Sequence, residues 1–153
     1  MAQTIEGRMT AAGKRFTVIA SRWNEFVTRQ LVDGALRALR QNGAQEPDVV
    51  WVPGTWEMPI AAARAAQSGA DAVICVGCIL QGATGHARQL SNLVAGALAD
   101  LSLRAKVPVT WGVLTCETQE QAIERAGMKL GNKGEQAALA AIEITSVIEQ
   151  VQG

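Results

Sequence analysis

Asp71-Ala72-Val73-Ile74-Cys75-Val76-Gly77-Cys78-Ile79-Leu80, closed by Gln81-Gly82, is a nearly unbroken apolar run. A strand with one wet face alternates apolar and polar residues, so this run predicts a strand covered on both faces, as in parallel sheets. Three more stretches read the same way: residues 16–20, residues 48–52 ended by Pro53-Gly54, and residues 107–114. Helical patterns separate them. Residues 28–41 carry Leu31, Ala35, Ala38 and Leu39 on one stripe, and Asn42-Gly43 stops it. A short alanine-rich helix follows Trp56, with Pro59 in its first turn and Gly69 past its end. Residues 86–104 form a third. Thr118-x-x-Gln121 is a capping box for a helix through Ala126, ended by Gly127, and Asn132-x-x-Glu135 opens a last helix to about residue 151.

The order β-α-β-α-β-α-β-α-α has no linker, repeat or low-complexity tract. Right-handed crossovers then predict one α/β domain, a flavodoxin-like doubly wound sheet of four parallel strands in the order 2-1-3-4 with helices on both faces. Polar residues 1–14 are expected to form an extended N-terminal arm ahead of a single domain over 15–153. Ligands of such sheets bind outside the carboxyl ends of the strands. Residues 21–26, 53–59, 81–86 and 115–118 are therefore expected to meet.

The chain has 153 residues, of which 48% are hydrophobic and 18% charged, with 14 basic and 14 acidic side chains. A balanced charge gives no electrostatic reason for nucleic acid or an anionic membrane as partner, and it favours self-association. No apolar run approaches the roughly 20 residues that span a bilayer, and the start lacks the apolar core of a signal peptide. The expected location is the cytoplasm. Cys75-Val76-Gly77-Cys78 has the CxxC spacing of redox and zinc sites. On a strand, however, residues three apart point to opposite faces, so these thiols read as small buried hydrophobes. One histidine and no clustered carboxylates give a metal site little support.

Gly82-Ala83-Thr84-Gly85-His86 lies at a strand end and opens a helix. Small residues there let backbone N–H groups approach an anion at the positive end of the helix dipole, though a tight turn needs glycine in any case. His86 beside this turn is placed for acid/base work, since imidazole titrates near neutrality. Trp23, Trp56 and Trp111 sit near three strand ends as walls for a flat ring, while mid-strand Trp51 reads as core. Asn24 and Glu57 can hydrogen-bond a polyol or ring, or serve as ordinary turn residues. Arg125 and Lys133 flank the link 127–134.

Trp51-Val52-Pro53-Gly54-Thr55-Trp56-Glu57-Met58-Pro59, Gly82-Ala83-Thr84-Gly85-His86, and Ala122-Ile123-Glu124-Arg125-Ala126-Gly127 with Gly131-Asn132-Lys133-Gly134 together resemble the 6,7-dimethyl-8-ribityllumazine synthase family. The resemblance runs from about residue 16 to 148. It implies condensation of 5-amino-6-(D-ribitylamino)uracil with 3,4-dihydroxy-2-butanone 4-phosphate, a late step of riboflavin biosynthesis, with no metal or organic cofactor. It implies that Trp23 stacks on the pyrimidine with Asn24 beside it, that Thr55, Trp56 and Glu57 bind the ribityl chain, and that Cys78, Ile79 and Leu80 meet the ring. Ala83 and Thr84 match the phosphate turn and His86 the acid/base residue. Trp111, Arg125 and Lys133 match residues supplied by a neighbouring subunit, with Arg125 gripping the phosphate. The family forms pentamers, and many members pack twelve of them into a hollow shell. The uninterrupted link 127–134 fits the shell-forming members, and riboflavin synthase is the protein partner this suggests.

Four positions depart from the family pattern. Gln81 stands where arginine is common, Ala87 where an aromatic often follows the histidine, and tryptophan replaces phenylalanine at Trp23 and Trp111. Two rival readings stand beside the family's main activity. An archaeal-type riboflavin synthase, using the lumazine itself, is disfavoured by Arg125 and the phosphate turn. A flavin- or lumazine-binding cage is disfavoured by keeping His86 and Arg125 together.

Overall fold

Strand β3, Ala72–Leu80, is buried along all but its last residue, and the fold is arranged around it. It lies between β1, Phe16–Ser21, and β4, Val109–Cys116, both parallel to it. Strand β2, Asp48–Val52, pairs in parallel with the other side of β1, completing the expected order β2-β1-β3-β4. This is a computed structural model that describes residues 2–82 and 85–151.

Helices α1 (Glu25–Gln41), α2 (Met58–Gln67), α3 (His86–Ala105), α4 (Gln119–Glu124) and α5 (Lys133–Gln150) complete the α/β domain. One face of the sheet sends Val18, Ala20, Ile74, Val76 and Cys78 into a layer with Leu31 and Ala35 of α1 and Ala138 and Ile142 of α5. The opposite face packs Ile19, Val73, Cys75 and Val113 against Met58 and Ala62 of α2 and Val94 and Leu98 of α3. Cys75 and Cys78 thus belong to different layers, as alternation along a strand requires. All three cysteines are free and buried.

The structure corrects several details of the sequence reading. Full cover on both faces holds for the inner strands β1 and β3, whereas edge strand β2 alternates exposed and half-buried residues up to Val52. Trp51 is half-buried rather than core, with the Arg29 guanidinium 5.1 Å from its ring centre. Helix α1 starts three residues before the predicted 28; exposed Phe26 gives that first turn no apolar stripe to read. Strand β4 runs from Val109 to Cys116, later at both ends than predicted. Helix α4 stops at Glu124, and the link beyond it folds as an antiparallel hairpin, β5 (Ala126–Met128) and β6 (Gly131–Asn132). Gly127 (φ 113) and Gly131 (φ 84) supply the left-handed turns that this hairpin needs.

Both predicted caps form. Thr118 Oγ1 accepts from Gln121 N at 3.2 Å, and Asn132 Oδ1 accepts from Glu135 N at 3.0 Å. Asn132 is buried and also donates from Nδ2 to the Gln30 carbonyl of α1 (3.0 Å). Helices α1 and α5 cross here at glycines: a methyl on Gly34 would overlap the Asn132 side chain, and one on Gly134 the Leu31 backbone. The arm ahead of β1 runs along α5, where Arg8 N donates to Ser146 Oγ (2.9 Å), Gln150 Nε2 donates to Glu6 O (2.9 Å) and Lys14 pairs with Glu149.

Candidate active site

A cleft of about 550 Å³ opens at the carboxyl ends of β1, β2 and β3, where the fold type places ligands. Its walls include Trp23, Thr55, Trp56, Glu57, Cys78, Ile79, Leu80 and His86. Trp23 and Trp56 are 74% and 64% exposed, far beyond the usual state of tryptophan in a lone domain. Thr55–Glu57 form a 3-10 turn between β2 and α2, closed by Glu57 N donating to Gly54 O at 3.2 Å. The Glu57 carboxylate folds back so far that a Cβ on Gly54 would lie 3.4 Å from Oε1. Asn24 adjoins the cleft from the β1–α1 turn, and its Nδ2 donates to the Cys78 carbonyl at 2.8 Å. His86 is the exposed first residue of α3. Burial pushes the Cys78 thiol up to about 12, with Cys116 adding to the rise, so Cys78 contributes backbone and apolar contact rather than a thiolate.

A second cleft, of about 480 Å³, lies along the outer edge of the sheet beside β4. Trp111, Arg125 and Lys133 line it with Cys116, Gln121 and Gln136. The hairpin fixes the two cations together, because Lys133 N donates to the Arg125 carbonyl at 2.9 Å. The guanidinium is steadied in turn by Nη1 donating to the Gln121 carbonyl of α4 at 3.1 Å. Burial raises the Cys116 thiol, while the Arg125 guanidinium acts in the opposite direction.

The predicted residues therefore divide into two groups within one chain. The first cleft holds a carboxylate and an imidazole with no lysine or arginine among its described lining residues; the second holds two cations and no carboxylate. Of the four segments expected to converge, three do so, and residues 115–118 turn instead toward the edge cleft through Thr115 and Cys116. Ala83 and Thr84, expected as the phosphate turn, lie outside the described residues. The described residues contain no group of three or more metal-ligating side chains, and no described helix is long and apolar enough to cross a membrane.

Sequence reasoning missed Leu90 and Gln136 as lining residues. Each was accessible to helical spacing, since Leu90 lies one turn beyond His86 and Gln136 three residues beyond Lys133. Ala87, noted only as a departure, is buried in the floor of the first cleft.

The four-stranded order, the paired tryptophans at the strand ends and the cation pair on the hairpin are each a generic feature, and their combination is not. A model of the family described as 6,7-dimethyl-8-ribityllumazine synthase matches residues 13–149, nearly the whole chain, and the chain belongs to this family of riboflavin-biosynthesis enzymes.

Proposed function

We propose that the chain condenses 5-amino-6-(D-ribitylamino)uracil with 3,4-dihydroxy-2-butanone 4-phosphate, giving the lumazine, inorganic phosphate and water without a cofactor. The reaction takes place in pockets shared between neighbouring subunits. The observation that carries this reading is the separation of His86 and Arg125 into two clefts of opposite electrostatic character. Among the described residues neither cleft alone offers both a proton shuttle and a cation to grip a phosphate, and a contact joining one chain's first cleft to its neighbour's second supplies both.

In the joined pocket Trp23 stacks on the pyrimidine, with Trp111 of the neighbour closing the other side. Thr55, Trp56 and Glu57, together with Lys133 of the neighbour, hold the ribityl hydroxyls, and the β3 end at Cys78, Ile79 and Leu80 meets the ring edge. The amine adds to the ketone, and His86 moves the protons by which the carbinolamine loses water to become an imine. The phosphate leaves as a proton is lost from the adjacent carbon, against Arg125 and the turn at Ala83 and Thr84, where backbone donors and a guanidinium match its charge. The ribitylamino nitrogen then closes the ring on the carbonyl so formed, with loss of a second water. Holding both substrates in reactive geometry supplies most of the acceleration.

Exposed apolar side chains support the homo-oligomer on which this depends. Trp56, Ile60, Leu93 and Leu103 stand in solvent on the α2–α3 side of a lone protomer. The family pattern makes the ring a pentamer, and the link 127–134 without insertion favours twelve pentamers in a cytoplasmic shell. The deciding experiment supplies both substrates to the pure protein and follows phosphate release together with lumazine absorbance. Absence of both signals from correctly assembled protein would refute the reading.

A further inference from the structure

Three hydrogen bonds hold the turn that presents Trp23. Arg22 N donates to Val52 O at 2.8 Å, Trp23 N donates to Pro53 O at 3.2 Å, and Asn24 Nδ2 donates to Cys78 O at 2.8 Å. Asn24 lies in the left-handed region (φ 61, ψ 45), one of two non-glycine residues with positive φ among those described. It is also the N-cap of α1, yet its side chain makes no cap hydrogen bond. Its carbonyl starts the helix instead, accepting from Val27 N and Thr28 N. A left-handed backbone and a forgone side-chain cap are both locally unfavourable, so something beyond the helix selects this geometry. The amide reaches 54 residues along the chain to the end of β3, at the floor of the first cleft. Trp23, being mostly exposed, has little packing of its own to fix its direction.

We propose that Asn24 is a positioning residue: by clamping the Trp23 turn to the Cys78 carbonyl, it aims the indole over the cleft and acts on the pyrimidine through Trp23. This refines the sequence expectation that Asn24 itself hydrogen-bonds the substrate, and it rests on the function proposed above. The reach of the clamp sets its effect. A backbone turn pinned on both sides of one residue leaves that side chain few directions, whereas a turn pinned on one side lets it swing.

The test separates backbone from clamp. Asn24→Gly keeps the left-handed conformation and removes the amide, and Asn24→Asp tolerates the same conformation but has no proton to donate to a carbonyl. Both variants are expected to raise KM for the ribitylaminouracil about tenfold, with kcat changed by less than about threefold. In a Trp23→Ala background, Asn24→Gly is expected to add less than about twofold, because the residue it serves is gone. Independent, multiplying effects would overturn the proposal, as would an unchanged KM in both variants. Near-ultraviolet circular dichroism gives a readout independent of turnover. The Trp23 signal, defined by the difference from Trp23→Phe, is expected to collapse in Asn24→Gly, and its full retention there would equally overturn the proposal. Wild-type protein that releases no phosphate would defeat the functional reading while this spectral test still decides the clamp.

Discussion

The backbone of Gly134 rests directly on the carbonyl of Leu31, so that any Cβ at position 134 would overlap it. The obstacle is main chain, which cannot swing aside as the end of a side chain can. Gly134→Ala is therefore expected to push the first turn of α5 off α1 and lower stability by about 1–3 kcal/mol. Lys133 moves with that turn, and through its backbone bond so does Arg125, so activity falls too. Thermal unfolding checks this, and an unchanged midpoint would show the crossing to be looser than described.

His86→Ala is expected to slow turnover by about a hundredfold or less, near the low end for acid/base catalysis, because positioning of two substrates carries most of the barrier reduction. Arg125→Ala is expected to cost at least as much, as removal of a donor to a departing anion commonly does. Single-turnover rates on assembled particles measure both. Total loss of activity in His86→Ala would move the main burden onto the imidazole.

Coexpressing His86→Ala with Arg125→Ala chains is expected to restore part of the activity. In randomly mixed rings, about a quarter of the contacts pair an intact His86 cleft with an intact Arg125 cleft. A pocket contained within one chain would show no rescue, and the shared site would have to be abandoned.

The thiols give a prediction about alkali. Burial raises Cys75 from its ordinary value near 9 to about 12, and Cys78 likewise. Unfolded chains release these protons above about pH 9 while the folded state retains them, so stability falls as pH rises through that window. Urea midpoints are expected to drop between about pH 8 and about pH 10.5, and Cys75→Ala is expected to reduce the drop. Below pH 9 the two thiols should resist aromatic disulfide reagents until the protein unfolds. Rapid labelling of native protein would contradict their burial.

Light scattering is expected to find a particle of shell mass rather than a single ring. A species of pentamer mass across ordinary buffers would remove the shell and leave the shared pocket standing.

The sheet was legible because its central strands are apolar on both faces, and Ala72 to Ile79 read as buried without any tertiary information. The caps at Thr118 and Asn132 were legible for a similar reason, since capping is decided within four residues. The start of α1 was not, because exposed Phe26 leaves its first turn no apolar stripe and Asn24, in place of a side-chain cap, bonds to a strand 54 residues away. Trp51 shows another limit: a tryptophan inside a strand reads as core by its type, although the predicted order 2-1-3-4 already made this strand an edge. The site residues were found as types at strand ends, but their division between two clefts depends on how the hairpin and α4 turn Arg125 outward. That has no local signature in the sequence.

The contact between the arm and α5 carries a consequence for how the protein is made. Glu6 and Arg8 meet Gln150 and Ser146, partners separated by 144 and 138 positions. Ribosomes deliver α5 after all four strands, and until then the layer on one face of β1 and β3 lacks Ala137, Ala138, Ala141 and Ile142. The nascent chain must therefore wait with part of its sheet uncovered, and closure of that layer comes when α5 arrives and Glu6 and Arg8 settle along it.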